Sequence, residues 1–265
     1  MFRFNINNKI ILAAMCCVLA IGIISSAALT ANAQQDFNGR ELLAVTRVAM
    51  GGEDYSGLQF LTAKSRGFVN VAPIVGAGLG TGGAASTVEV KFSMTDYQDK
   101  DSRRRLDVKP TGPSIGETFL VYTGTSGGGM YMGNEFRVSE ATAARHWGLM
   151  GFGTLNKSVD GQLKTDRLKD QDNNYVVEVK FNSSDNLRYY IDKRTFLINR
   201  VVTYYNGKVL VEEERSDYRK ANCMMLPFHV VTKLGGQRVS DLNIESYDLK
   251  TVVPEARFTI SVSTN

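Results

Sequence analysis

Tyr175-Val-Val-Glu-Val-Lys-Phe181 alternates apolar and polar residues without a break, so Tyr175, Val177, Val179 and Phe181 share one face of a strand. The pattern returns at Leu187, Tyr189 and Ile191 after the polar turn Asn182-Ser-Ser-Asp-Asn186. Residues 196–205 then meet 208–214 across Asn206-Gly207, a pair that tolerates the positive φ of a type I′ hairpin turn. Residues 229–234 likewise meet 237–244 across Gly235-Gly236. Each strand has its neighbour one tight turn away, which predicts an antiparallel sheet with one apolar and one wet face.

Upstream, residues 39–50 read as a helix with Leu42, Val45, Val48 and Ala49 on one face, Asn38 as cap and Gly51-Gly52 as the stop. Residues 58–72 predict one or two strands and 88–94 another. Residues 118–122 and 130–138 predict a hairpin around a glycine-rich turn, and residues 140–147 a helix capped by Ser139. The charged stretch 95–105, where Arg103-Arg-Arg105 is flanked by Asp96, Asp99, Asp101 and Asp107, reads as a solvated loop. Residues 156–174 read as a long polar loop with a short helix.

The amino terminus carries Arg3 and Lys9, an apolar run at residues 10–24 and then Ala31-Asn-Ala33. This has the layout of a secretory signal peptide, residues 1–33, cleaved after Ala33. Its core of about 15 residues falls short of the roughly 20 that span a bilayer. Cys16 and Cys17 lie inside that core, and Met15 stands where a lipobox needs a small residue. Taking 33 residues from 265 leaves 232, read as one β-rich domain, 34–265. Of the 31 Lys and Arg, 29 remain once Arg3 and Lys9 are gone, against 27 Asp and Glu. A balance of +2 is no nucleic-acid footprint. One cysteine, Cys223, survives, so core burial and not disulfides must hold the fold.

Within the strand series, Asp192-Lys-Arg-Thr195-Phe-Leu197-Ile-Asn-Arg200 resembles the strand of periplasmic LolA-like lipoprotein carriers that reads Asp, Thr, an apolar pair, then Arg. Ser216-Asp217-Tyr218-Arg219, followed by Leu226-Pro227-Phe228, is similar to that family's turn into the strand after its Leu-Pro step, although Asn222-Cys223 stands where relatives carry Asp-Gly. Residues 244–258 resemble its closing strands. The likeness implies an α+β fold in which a strongly curved antiparallel sheet, a half-barrel, wraps around one or two helices. It also implies a periplasmic carrier or binding protein for lipid or acyl chains, with an acylated protein as a further possible ligand and another envelope protein as a possible partner.

Other motifs match as strings and fail in context. Gly78-Leu-Gly80-Thr-Gly-Gly83 fits a dinucleotide fingerprint, but a strand follows it where a helix must point at the pyrophosphate. Gly124-Thr-Ser126-Gly-Gly128 fits a nucleophile elbow, again without its helix, and the only histidines are His146 and His229. A serine hydrolase built on Ser126 is therefore the third reading, behind the carrier and behind an envelope structural or interaction protein with a filled core. Asp170-Gln-Asp172-Asn-Asn174 lacks the glycine and the final glutamate of a calcium loop. No metal, nucleotide or other cofactor is expected.

The remaining feature is a set of large apolar side chains: Val90, Phe92, Met94, Phe119, Met130, Met132, Phe136, Trp147, Met150, Phe152, Val177 and Val179. Each reads singly as ordinary core. Together, on strands and on a helix that covers them, they predict the lining of an apolar cavity.

Overall fold

The computed structural model describes residues 37–70, 89–111, 118–131, 133–145 and 149–260. The signal-peptide segment, the glycine-rich loop 76–83, Met132, His146 and Trp147 lie outside them.

Helix α1, Gly39–Met50, begins with a reciprocal cap: Asn38 Oδ1 accepts from Glu41 N–H (3.0 Å), and Glu41 Oε2 accepts from Asn38 N–H (2.9 Å). It stops at Gly51, whose φ of 142° and close approach to Met224 exclude a side chain. The short α2, Glu53–Ser56, follows. Strands β1 (Phe60–Asn70), β2 (Glu89–Asp99), β3 (Arg104–Pro110), β4 (Thr118–Tyr122), β5 (Gly127–Tyr131) and β6 (Asn134–Val138) then form a meander. After α3, Glu140–Ala143, and α4, Phe152–Val159, the chain starts a second meander. Its strands are β7 (Lys164–Gln171), β8 (Asn174–Lys180), β9 (Asp185–Asp192), β10 (Ile198–Tyr205), β11 (Lys208–Ala221), β12 (Met224–Leu234) and β13 (Gln237–Asp248).

Among the described residues the two meanders fuse at β1 and β13 into one antiparallel sheet of 13 strands, ordered β6-β5-β4-β3-β2-β1-β13-β12-β11-β10-β9-β8-β7. The sheet is curved and open, with β6 and β7 as its edges. Asn206 and Gly207 (φ 49° and 73°) and Gly235 and Gly236 (φ 53° and 83°) have the left-handed geometry that their hairpins were expected to need.

Helices α1 and α4 pack together on one face, and α1 reaches β7, β8 and β12 there. Leu42, Leu43 and Met50 of α1 and Phe152 and Leu155 of α4 are buried, as are Val177, Val179, Leu187, Val201 and Val211 of the sheet. At Gly39 a Cβ would stand 3.0 Å from the Asp166 carbonyl carbon and 3.3 Å from Val177, so the helix starts directly on β7 and β8.

Three expectations need correction. The other face of the sheet is not simply wet: Val176, Tyr190 and Val202 form a buried cluster with Leu168 and Tyr204. Guanidinium groups cover it, Arg200 lying 3.6 Å over the Tyr190 ring and Arg188 4.3 Å over that of Tyr204. Residues 95–105 are not a solvated loop but the facing ends of β2 and β3, joined by a turn at 100–103. Residues 156–174 hold the end of α4 and strand β7. Charge-rich composition hid both, because cross-strand ion pairs satisfy these residues within the sheet.

The seam between β1 and β13 requires Gly67, where a Cβ would lie 1.9 Å from the Asp241 carbonyl oxygen. Gly67→Ala is expected to part the strands and lower the thermal midpoint by at least several degrees. Gly207→Ala, at a hairpin position with φ 73° and nothing within 4 Å, is expected to cost far less, about 1–2 kcal/mol for the left-handed backbone alone. Thermal unfolding of the two variants checks the difference.

Candidate functional site

The register carries Val177 beneath α1 through Tyr189 and Val201 to Glu213, so Glu213 and, two residues on, Arg215 point to the helix-bearing face. From Arg215 the same face continues through Val230, Leu242 and Gly67 to Phe92. Asp96 lies four residues beyond Phe92, opposite Ala63, which in turn faces Tyr247. Arg104 stands on that face of β3, opposite Gln98. Two acids and two bases therefore occupy positions where the alternation calls for apolar side chains.

They pair directly. Arg104 grips Asp96 with two nitrogens, Nη2 to Oδ2 at 2.7 Å and Nε to Oδ1 at 3.0 Å. Arg215 Nη2 and Nε both donate to Glu213 Oε2, at 2.7 and 3.2 Å. Asp96 and Glu213 are only 5% and 8% exposed, so both would carry a heavy desolvation cost without these partners. Burial pulls both guanidiniums down, but Asp96 for Arg104 and Glu213 for Arg215 more than offset it, and each ends above the ordinary arginine value.

Tyr55, Tyr189, Tyr218 and Tyr247 surround the pairs. Burial pushes the Tyr55 phenol up to about 12 against the opposing charge of Arg215, and it pushes Tyr189, Tyr218 and Tyr247 further still. Tyr218 Oη donates to the Ile198 carbonyl, and Tyr247 Oη to that of Pro227 at 2.5 Å.

This polar centre holds α4. Gln98 Nε2 donates to Asp96 Oδ2 (2.8 Å), while Gln98 Oε1 accepts the first backbone N–H of the helix, from Phe152 (3.2 Å). Arg215 Nη2 also donates to the Met150 carbonyl (3.2 Å). At the far side Asn156 Nδ2 donates to the Tyr55 carbonyl (3.3 Å), and Lys157 Nζ to the Asp101 carbonyl (3.0 Å).

The twelve residues expected to line a cavity do not share one surface. Val90, Phe92 and Met94 lie on the helix-bearing face, with Phe92 buried, as do Val177 and Val179 beneath α1. Phe136 is half-buried on that face at the edge strand β6, and Met150 and Phe152 are buried at the start of α4. Phe119 and Met130 pair with each other on the opposite face, where the Arg105 guanidinium lies 4.0 Å over the Phe119 ring. Met132 and Trp147 are outside the described residues. The charged centre went unseen in the sequence, although Val211, Glu213 and Arg215 stand two apart on one strand and already place charges in an inward phase.

Ser126 Oγ is bonded to Thr123 Oγ1 (2.9 Å) and borders a shallow polar depression of about 300 Å³ with Arg103, Arg137 and Glu255. His229 lies elsewhere, mid-strand on the face opposite the helices, with Nδ1 2.9 Å from Ser216 Oγ and Nε2 2.9 Å from Asp241 Oδ1. That row links β11, β12 and β13. Among the described residues no cluster of acids, histidine and cysteine could hold a metal ion, and no helix is long and apolar enough to cross a membrane.

A curved open sheet with two helices on one face is the architecture of LolA-like proteins. Among solved structures, a LolA superfamily protein from Nitrosomonas europaea matches with a TM-score of 0.53 at 12% identity, over 84% of this chain and 98% of that one. A domain described as that of an outer membrane lipoprotein-sorting protein from Vibrio parahaemolyticus matches with a TM-score of 0.50 at 13% identity, over 83% and 95%. At such identities the likeness establishes the fold. No family model matches the sequence, and no curated protein does.

Two measurements test the polar centre. Arg215→Met, which strands Glu213, is expected to cost about 3–5 kcal/mol in denaturant unfolding, and adding Glu213→Leu should recover part of it. The tyrosines make the protein alkali-sensitive in a defined window. For Tyr55 the raised value lends stability that is fully present below the unfolded value near 10 and lost as pH rises through about 12, and the other three act in the same direction. Absorbance at ~295 nm is therefore expected to show exposed tyrosines ionising first, and the buried Tyr55 and Tyr189 only as the protein unfolds.

Proposed function

We propose that this protein is a periplasmic carrier or binding protein for lipid or acyl chains that does no chemistry on them. The observation behind the reading is α4, a short, half-buried helix packed against α1 and the end of β2 and tied there by Gln98, Arg215, Asn156 and Lys157. The LolA-like fold supports it, as does the signal-like amino terminus with its small-x-small site at Ala31-Asn-Ala33.

The magnitudes allow an exchange of helix for ligand. Exposing Met150, Phe152 and Leu155 forfeits roughly 5–9 kcal/mol, at about 1.5–3 for each buried side chain. An acyl chain of about 14 methylenes returns roughly 11 kcal/mol at ~0.8 each. The ligand's surplus is small, as suits a carrier that must also release.

One observation favours a second reading, an envelope interaction protein with a filled core: Leu42, Leu43, Met50, Phe152 and Leu155 already cover much of the sheet face. Native mass spectrometry of protein purified from its own envelope separates the two. The carrier reading expects a co-purified mass of one or a few lipid or acyl species, lost on mild activation. Bare protein that also takes up no lipid from added vesicles would favour the filled core.

A further inference from the structure

Arg137 stands opposite Gly128, and Gly128 opposite Val121, on the face of the sheet that carries Phe119 and not the helices. A 3-10 turn, Glu255–Phe258, packs against β3 there, with Phe258 buried and Arg257 Nη1 donating to Asp107 Oδ2 at 3.2 Å. The depression of about 300 Å³ opens beside it, and Arg103, Arg137, Thr125, Ser126 and Glu255 line it together. Three segments distant in the chain thus meet around one space: the β2–β3 turn, the β4–β5 turn with β6, and the 3-10 turn.

Both guanidiniums are braced from behind. Arg103 Nε donates to Asp99 Oδ2 at 2.5 Å, and Arg137 Nε to Glu135 Oε1 at 3.0 Å. A carboxylate at Nε fixes the plane of the fork and leaves the Nη nitrogens for another acceptor. Among the described residues Arg137 uses neither Nη, and Arg103 uses only Nη1, which donates to Glu255. Glu255 is therefore a carboxylate standing where the oxygens of a bound anion would stand. Its side chain is 72% exposed, so releasing it costs little.

The hydroxyls complete the lining. Thr123 Oγ1 accepts the Ser126 N–H at 3.0 Å and so holds the turn that presents Thr125 and Ser126, whose hydroxyl protons rotate to suit an acceptor. Asp99 and Glu135 already balance the two arginines, so an incoming anion replaces the charge of Glu255 and adds none.

We propose that this depression is a phosphate site, which Glu255 closes when no phosphate is bound. A planar carboxylate is served by one fork, whereas a tetrahedral phosphate has oxygens for two forks and the hydroxyls between them. The site goes beyond the carrier reading and does not depend on it, because α4 and the polar centre lie on the other face. A lipid headgroup and a soluble phosphate ester offer the same group.

The test follows the amide shifts of Thr125 and Ser126 in the nitrogen-15-labelled mature protein as inorganic phosphate is added at constant ionic strength. Saturable shifts are expected. Arg137→Gln is expected to weaken binding about tenfold, and Glu255→Gln, which removes the competing carboxylate, to tighten it several-fold. Shifts that do not saturate would overturn the site, as would a Glu255→Gln variant that binds phosphate no tighter than the wild type. Sedimentation with phosphatidylglycerol vesicles, reversed by inorganic phosphate, would assign the group to a lipid headgroup. Saturable phosphate binding without vesicle binding would assign it to a soluble ester. Each of these outcomes leaves the carrier reading where the lipid measurements put it.

Discussion

The pairing of β1 with β13, from Thr62 to Val69 on one strand and Ser240 to Asp248 on the other, joins the beginning of the described chain to its end. Every other strand pair in the sheet is between sequence neighbours. Without the seam there would be two meanders, each with half of an apolar face and neither able to carry both helices. With it, Asp96 and Arg104 of the first meander stand across the seam from Glu213 and Arg215 of the second, near enough for Glu213 and Arg215 to act on Arg104. The polar centre is therefore a product of the longest-range contact in the fold. Such a contact is slow to form, because its loop-closure entropy must be met before it returns any burial.

The ion pairs have a cost that a purely structural core would avoid, since well-packed apolar residues at such sites are often neutral or stabilising. What they add is attachment that can be rearranged. Gln98 and Arg215 hold the start of α4 by hydrogen bonds to backbone groups, while Phe152 and Leu155 bury the helix's apolar side.

The local half of this architecture was legible in the sequence. Alternation at residues 175–181 and positive-φ turn pairs at Asn206-Gly207 and Gly235-Gly236 fixed strands and hairpins, because both are decided within a few residues. Asn38 and Gly51 likewise marked the ends of α1. The seam was not legible: Gly67 looked like an interruption, and its role emerges only with Asp241 beside it. The charged centre was misread for the same reason. Asp96 and Arg104 look solvated until β2 and β3 are paired, and Phe119 looks like a neighbour of Phe92 until the register puts them on opposite faces. Facing partners decide these cases, and a single sequence does not reveal partners.

The proposed carrier reading turns on α4 moving aside for the ligand. Hydrogen–deuterium exchange followed by mass spectrometry, with and without saturating monoacylglycerol, tests it most directly. The account predicts that ligand speeds exchange in residues 150–159 and leaves the strands β8 to β12 as protected as before. Bound ligand with exchange at 150–159 unchanged or slowed would contradict it.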